Sequence, residues 1–235
     1  FFFIIRPILF LFSIIQFYNI LRNSKFDILL GNCGGYGDFR SEVSALLAAS
    51  FLNIPVKLLL IHHSYSKPLF WQPLIKFIDK ILNKRINGII FVSKAVKKNI
   101  KINTHLLKEN IRNKIIYNGI VINNLKKNRN NLDKIIKKKK NIFNIGMISR
   151  IEKKKGHIDL IDSFYKLPET DKNKLTVYLI GKGSKKFIIF LKKKITNLNL
   201  EKQFIFTGFL KNESLHIAKK LNLLMSLTKD FEGFG

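Results

Sequence analysis

NIFNIGMISRIEKKKGHIDLIDSFYKL, residues 141–167, decides how the rest of the chain is read. NIFNIGMIS has the length and composition of a buried strand, and GHIDLIDSFYKL returns apolar residues at helical spacing. Between them lie Arg150, three lysines and Gly156. A strand that ends in a basic, glycine-broken turn and re-enters as a helix is half of a βαβ unit. Ligands of such sheets bind beyond the carboxyl ends of the strands. Backbone N–H groups at the mouth of the helix, with the cations before it, make this turn a place for an anion such as a diphosphate. Arg150 and Lys155, the lysine directly before Gly156, are placed to take it. Lys153 and Lys154 read as surface lysines of a lysine-rich chain.

The same alternation runs outward in both directions. Upstream, FDILLGN (26–32), PVKLLLIHH (55–63), NGIIFVS (87–93) and KIIYNG (114–119) read as strands. The segments between them read as helices. SEVSALLAASFLN (41–53) is expected to be capped by Ser41, with Glu42 favouring its first turn. PLFWQPLIKFIDKILNK (68–84) is expected to bury Phe77, Ile78, Ile81 and Leu82 on one face, and SKAVKKNIKIN (93–103) follows. Downstream, LTVYLIG (175–181), FIFTGF (204–209) and NLLMSLT (222–228) are strands, separated by helices in SKKFIIFLKKKITNL (184–198) and SLHIAKKL (214–221). Strands alternating with helices on both sides of a polar interval imply an α/β protein of two Rossmann-like, doubly wound domains with parallel sheets, both incomplete. The expected boundaries are 1–124 for an N-terminal domain, 125–140 for a basic linker and 141–235 for a C-terminal domain, which the resemblance described below makes the acceptor-side and the nucleotide-sugar-binding domain.

Composition narrows the function. The 235 residues carry a net charge of +28, which ordinarily raises nucleic acid or an anionic membrane as partner. Yet of 43 Lys+Arg only Arg6, Arg22, Arg40, Arg85, Arg112, Arg129 and Arg150 are arginines. Readers of nucleic acid favour the bidentate arginine fork, so the lysine excess reads as compositional drift and no nucleic-acid partner is expected. A basic surface remains suited to acidic lipid headgroups, at about 1 kcal/mol per well-placed cation. The single Cys33 rules out an intrachain disulfide framework and suits a reducing, cytoplasmic compartment. The five histidines are scattered without metal-ligand spacing, so neither a metal nor another cofactor is expected.

FFFIIRPILFLFSIIQFYNIL, residues 1–21, is the most hydrophobic stretch, but Arg6, Pro7, Gln16 and Asn19 interrupt it. A spanning helix wants about 20 nearly uninterrupted apolar residues, so a buried or membrane-grazing helix is expected here. GNCGGYGDF (31–39) departs from GxGxxG, because the last required glycine falls at Arg40. It reads as a flexible wall of a ligand cleft. Gly181 and Gly183 in LIGKGS are expected to let that loop approach a nucleotide, beside the plainer reading of a strand-to-helix turn.

Taken in order, IGMISRIEKKKGHIDLIDSF, LIGKGS, FIFTGFL and DFEGFG resemble the nucleotide-binding half of the family 4 retaining glycosyltransferases, which have the two-domain GT-B fold. The resemblance implies that Arg150 and Lys155 clamp a donor diphosphate. It implies that Glu232 is the first carboxylate of the family's signature, with Gly233, Phe234 and Gly235 as the turn that meets the donor sugar or phosphate. The second signature carboxylate, eight positions on, falls beyond residue 235, and the chain is expected to be a fragment lacking both ends. HHS (62–64) comes after a strand where the family keeps a histidine near the donor sugar. Side chains alternate along a strand, and His62, the first polar residue after LLLI, is the choice over His63. FVSKAV and IIYNGI resemble the family's strand ending in serine and its Asn-Gly turn.

The activity implied by this resemblance is that of a hexosyltransferase, which moves a sugar from a nucleotide-diphosphate donor to a glycan or lipid-linked acceptor. Cell-surface polysaccharide synthesis at the inner face of the membrane is its expected setting, with His62 and Glu232 catalytic. The alternatives are a sugar-nucleotide epimerase of the same architecture and a non-enzymatic basic protein that binds nucleic acid or membrane. Salt-dependent oligonucleotide binding without response to nucleotide sugars would mark the last.

Overall fold

The computed structural model describes residues 2–37, 39–66, 71–108, 111–119, 136, 141–210 and 217–233. Contacts divide the chain into two compact units, one of residues 1–120 together with 231–235, the other of residues 121–230. The last five residues thus belong with the first unit. The expected linker, 125–140, lies outside the described residues except for Ile136, which is buried against Tyr178, Ile180 and Ile217.

In the first unit, α1 (Phe2–Arg22) leads to β1 (Ile28–Cys33), α2 (Ser41–Ala49), β2 (Val56–Ile61), α3 (Gln72–Arg85), β3 (Gly88–Phe91), α4 (Lys94–Asn103) and β4 (Asn113–Ile115). The four strands form one parallel sheet in the order β1-β2-β3-β4. Helices cover parallel strands, which is why β2 reads as the nearly unbroken apolar run VKLLLI. Its Leu59 and Ile61 are fully buried with Cys33, Leu46, Leu82, Ile89 and Phe91.

Two local expectations change. Ser41 is the first helical residue of α2 and not its cap: the cap position is Arg40, which makes no capping bond, and the Ser41 hydroxyl lies 3.3 Å from Glu42 Oε2. On α3 the buried residues are Ile75, Ile78, Asp79 and Leu82, a stripe at i, i+3, i+4 and i+7, while Phe77 points outward at 60% exposure.

Asp79 stands inside that apolar stripe. A buried carboxylate needs compensating donors. It accepts from the Tyr36 hydroxyl at 2.5 Å and from the His105 backbone N–H at 2.8 Å. Burial pushes the Asp79 carboxyl above its ordinary range, opposed by those two donors, and pushes the Tyr36 phenol far up. The pair anchors the loop after β1, and Tyr36 in turn binds the loop after β2. Its N–H donates to the Ser64 carbonyl at 3.2 Å, and its carbonyl accepts from the Ser66 N–H. The loops at the carboxyl ends of β1 and β2 are therefore laced together.

The second unit comprises β5 (Phe143–Ile148), a single 3₁₀ turn over Lys153–Lys155, α5 (His157–Tyr165), α6 (Glu169–Lys172), β6 (Leu175–Ile180), α7 (Lys185–Asn197), β7 (Phe204–Gly208) and β8 (Leu223–Leu224). Its strands are parallel in the order β7-β6-β5-β8. Strand order reverses at β5, with β6 on one side and β8 on the other, so the carboxyl end of β5 is the switch point where ligands of open α/β sheets bind. Met147, Leu160, Ile161, Phe164, Val177, Leu179 and Leu191 form the core, and Phe164 meets Phe204 edge-on at 5.1 Å. Of the helix expected at 214–221, residues 214–216 lie outside the described residues, 217 and 218 are helical, and 219–220 form a turn.

Candidate functional site

The end of β5 aims the chain at the switch point. Ser149 N–H still bonds the Ile180 carbonyl at 3.0 Å, and Ile151 N–H bonds the Lys182 carbonyl at 2.7 Å, so the segment carrying Arg150 runs beside the loop after β6. This close approach is what the glycines there permit. Gly181 has φ +152°, and a Cβ on it would strike the Ser149 carbonyl oxygen; Gly183 bridges to Ile151. A pocket of about 540 Å³ opens at these strand ends, lined by Ser149, Arg150, Gly181, Lys182, Phe209 and Leu210 among others. Arg150 and Gly181 thus meet in one pocket, while Gly183 is not part of its lining.

Arg150 is largely exposed and pairs with Glu152 Oε1 at 3.0 Å. An exposed pair is worth about 0–1 kcal/mol, so an anion entering the pocket displaces Glu152 at little cost. Lys154 lies 3.9 Å from the other Glu152 oxygen, as a surface lysine does. Lys155 is half-buried, and its Nζ lies 3.4 Å from Thr228 Oγ1. The segment after β8 is stitched to this turn. Lys229 N–H donates to the Lys154 carbonyl at 2.9 Å, and Lys229 Nζ sits 2.6 Å from Asp159 Oδ1.

Lys182 and Phe209 were missed in the sequence. The Lys182 ammonium stands 5.0 Å over the Phe209 ring, giving the pocket a further cation and an exposed aromatic face. The only sequence signals were a lysine between two glycines and a Phe after Thr-Gly.

His157, the first residue of α5, is wholly buried directly after the lysine turn. Burial lowers its pKa, opposed by the Glu152 backbone beside it. With the folded pKa below the unfolded one, the neutral ring is favoured. Its stabilising contribution is complete above the unfolded value of about 6.5 and is lost as pH falls through the folded value. Thermal melting should therefore show a larger drop between pH 7.5 and pH 5 for the wild type than for His157→Leu, with each 1 kcal/mol worth about 2–4 °C in a chain of this size. Parallel curves would refute the assignment.

The first unit holds the other expected residues. His62 comes directly after β2, and its Nε2 lies 2.7 Å from Asn32 Oδ1 on β1, while its N–H bonds the Cys33 carbonyl at 3.0 Å. His63 is exposed, with Nδ1 3.0 Å from Ser64 Oγ and its ring edge-on to Phe231 at 5.4 Å. Gly233 lies so close to the His62 carbonyl that a Cβ would strike it, and the Gly233 carbonyl accepts a short bond from Ser93 Oγ. Ser93 also caps α4 by accepting from Val96 N–H at 3.2 Å. His62 and Gly233 are thus in main-chain contact, and exposed Glu232 is held between two anchored neighbours. Phe234 and Gly235 lie outside the described residues. Burial pushes the Cys33 thiol up to about 11, which makes it an inert packing group. Among the described residues no three His, Cys, Asp or Glu side chains converge as a metal site would require.

The fold has counterparts among known proteins. The structure of Anabaena HepE in complex with UDP aligns with a TM-score of 0.72 at 21% identity, covering 94% of this chain and 58% of that one. A glycosyltransferase from Rickettsia africae aligns with a TM-score of 0.72 at 19% identity, over 97% and 58%. The sucrose-phosphate synthase of Thermosynechococcus elongatus aligns with a TM-score of 0.64 at 12% identity, over 94% and 54%. The chain therefore spans little more than half the length of these proteins. No curated protein sequence matches the chain. Over residues 128–235, which hold Arg150, Lys155 and the Glu232 turn, the chain matches the family model of the glycosyl transferases group 1, and its α/β architecture with parallel sheets is that of the GT-B glycosyltransferases it aligns with.

Proposed function

We propose that the protein is a retaining glycosyltransferase of family 4 type. It transfers a hexose from a nucleoside-diphosphate sugar to a glycan or lipid-linked acceptor, in cell-surface polysaccharide synthesis on the cytoplasmic side of a membrane. The observation that carries this reading is the Arg150–Gly156 turn at the carboxyl end of β5, where strand order reverses and the pocket opens. The bond that breaks is the one between the anomeric carbon and the diphosphate oxygen. Arg150 and Lys155 meet the charge that develops on that oxygen, which is where preorganised cations accelerate a reaction. Lys182 and Phe209 line the same pocket as Arg150 and suit the nucleoside end of the donor. Glu232 orients donor hydroxyls, the Gly233–Gly235 turn offers N–H groups to sugar or phosphate, and His62 serves the transferred sugar. Cations do the work of neutralisation, so the mechanism calls for no metal.

The structures of Anabaena HepE with UDP and with UDP-glucose make UDP the first probe. UDP at 100 times its Kd should raise stability by about 2.7 kcal/mol, while uridine, which lacks the diphosphate, should do far less. Equal response to both, or none to UDP, GDP or ADP, would overturn the diphosphate reading. Retention is read from the anomeric configuration of the product by NMR.

A further inference from the structure

Between α1 and α2 lies a second pocket, of about 470 Å³, that none of the roles above uses. Its walls include Arg6, Phe10 and Ser13 from α1 and Phe39, Arg40 and Glu42 around the start of α2. Two of only seven arginines converge here, in a chain whose cations are otherwise overwhelmingly lysine. Arginine offers what lysine cannot, a planar fork that binds phosphate or carboxylate through two parallel bonds. The Arg40 Nε is buried with no hydrogen-bond partner among the described residues. A buried donor without an acceptor is costly, and a ligand oxygen would remove that cost. Among the described lining residues Glu42 offsets one of the two cations and leaves a net positive charge.

Beside these charges and the hydroxyls of Ser13, Ser41 and Ser44, the lining is apolar. Phe10 packs on Phe39 at 5.1 Å, and Phe39 on Trp71 at 6.4 Å. Leu9 forms part of the rim at 55% exposure, and from it the surface of α1 continues as Phe12, Ile8 and Ile15, each more than half exposed. This helix is long and apolar enough to cross a membrane, yet it packs on α2 through its other face, with Phe10 and Leu21 buried. Neither the buried helix nor a spanning one describes it: one face is core and the other is an apolar surface of several residues. An arginine pocket that opens beside such a surface is complementary to one kind of molecule, an anion carried on a hydrocarbon chain.

Arg40 also points toward the expected site residues. A Cβ on Gly35 would lie 3.7 Å from Arg40 Nη2, 3.1 Å from the Ser64 carbonyl and 3.9 Å from His63 Cβ. The guanidinium is therefore only a residue's width from the His62–Ser64 turn.

We propose that this pocket binds the phosphate of a lipid-linked acceptor, with Arg40 and Arg6 on the phosphate and the exposed face of α1 along the hydrocarbon chain. The proposal rests on the glycosyltransferase reading for the word acceptor, but the binding itself is testable without it. The probes are dodecyl phosphate, inorganic phosphate and dodecanol, titrated below micelle-forming concentrations against the full chain, with UDP titrated in parallel. Dodecyl phosphate should bind at least tenfold more tightly than either fragment. Arg40→Gln should weaken it by tenfold or more with UDP affinity unchanged, and Ser13→Phe, which fills the pocket and leaves both arginines in place, should do the same. Wild-type affinity in both variants would overturn the proposal, as would inorganic phosphate binding equally well, which would mark a plain anion site. Failure of UDP to bind while dodecyl phosphate binding stays Arg40-dependent would remove the transferase reading and leave the pocket standing.

Discussion

Replacing Arg150 and Lys155 together by alanine is expected to abolish sugar transfer while leaving the second unit folded. Arg150 is exposed, and its Glu152 partner is lost at a cost of about 0–1 kcal/mol, so its removal leaves the core of Met147, Leu160 and Val177 untouched. Lys155 gives up a long bond to Thr228 among its contacts, and neither residue belongs to the core. The loss in rate is of a different order. Removing a single donor aimed at developing charge costs about 10²–10³ in kcat, and two cations on one leaving group together should cost about 10⁴ or more, short of full additivity. Each single variant should weaken UDP binding, whereas Glu152→Gln should retain or strengthen it, because the competing carboxylate is gone. The measurements are turnover with a UDP-sugar, UDP affinity and the circular dichroism melt. Unchanged turnover with an intact melt would sink the diphosphate assignment.

The parallel sheets were legible because strands covered by helices carry no polar alternation: VKLLLI and LTVYLI announce themselves as continuous apolar runs. The basic turn after β5 was legible as a turn, since an arginine scarce in this composition stands five positions before a lysine-glycine step. What escaped depended on partners far away in sequence. Phe77 fitted a helical stripe one position off the true one, because nothing local distinguishes the stripe through Ile75 and Asp79 from its neighbour. Asp79 itself was the missed signal, a carboxylate among apolar residues whose meaning is the Tyr36 hydroxyl 43 positions away. The glycines of LIGKGS read either as making room for a nucleotide or as a plain strand-to-helix turn. Geometry gives them a second reason, the passage of Ser149 and Ile151 against them. The Glu232 turn was found by its letters, but its seat on His62, His63 and Ser93 could be seen only in three dimensions.

Gly156→Ala should be among the most destabilising single substitutions in the second unit, and its cause can be separated into two parts. Gly156 has φ +82° and ψ 17°, the left-handed conformation that ends the lysine turn and starts α5. Holding a non-glycine residue in such a region costs about 1–3 kcal/mol. The second part is space: a Cβ would run into the Leu227 carbonyl oxygen and Cβ. Backbone cannot rotate away as a flexible side chain does, so segment 227–229 would have to shift. That shift breaks what ties the segment down, the Lys155–Thr228 and Lys229–Lys154 bonds and the Lys229–Asp159 pair. Forced overpacking adds about 1–3 kcal/mol, and the total of about 2–6 kcal/mol corresponds to a fall in Tm of roughly 4–24 °C. Asparagine tolerates the left-handed region but still carries a Cβ, so Gly156→Asn should recover the conformational part and keep the steric one. A Tm for Gly156→Asn equal to the wild type would show that Leu227 does not press on this turn. With it would fall the argument that the segment after β8 holds Lys155 in place, and UDP affinity in the two variants should follow the same order as their melts.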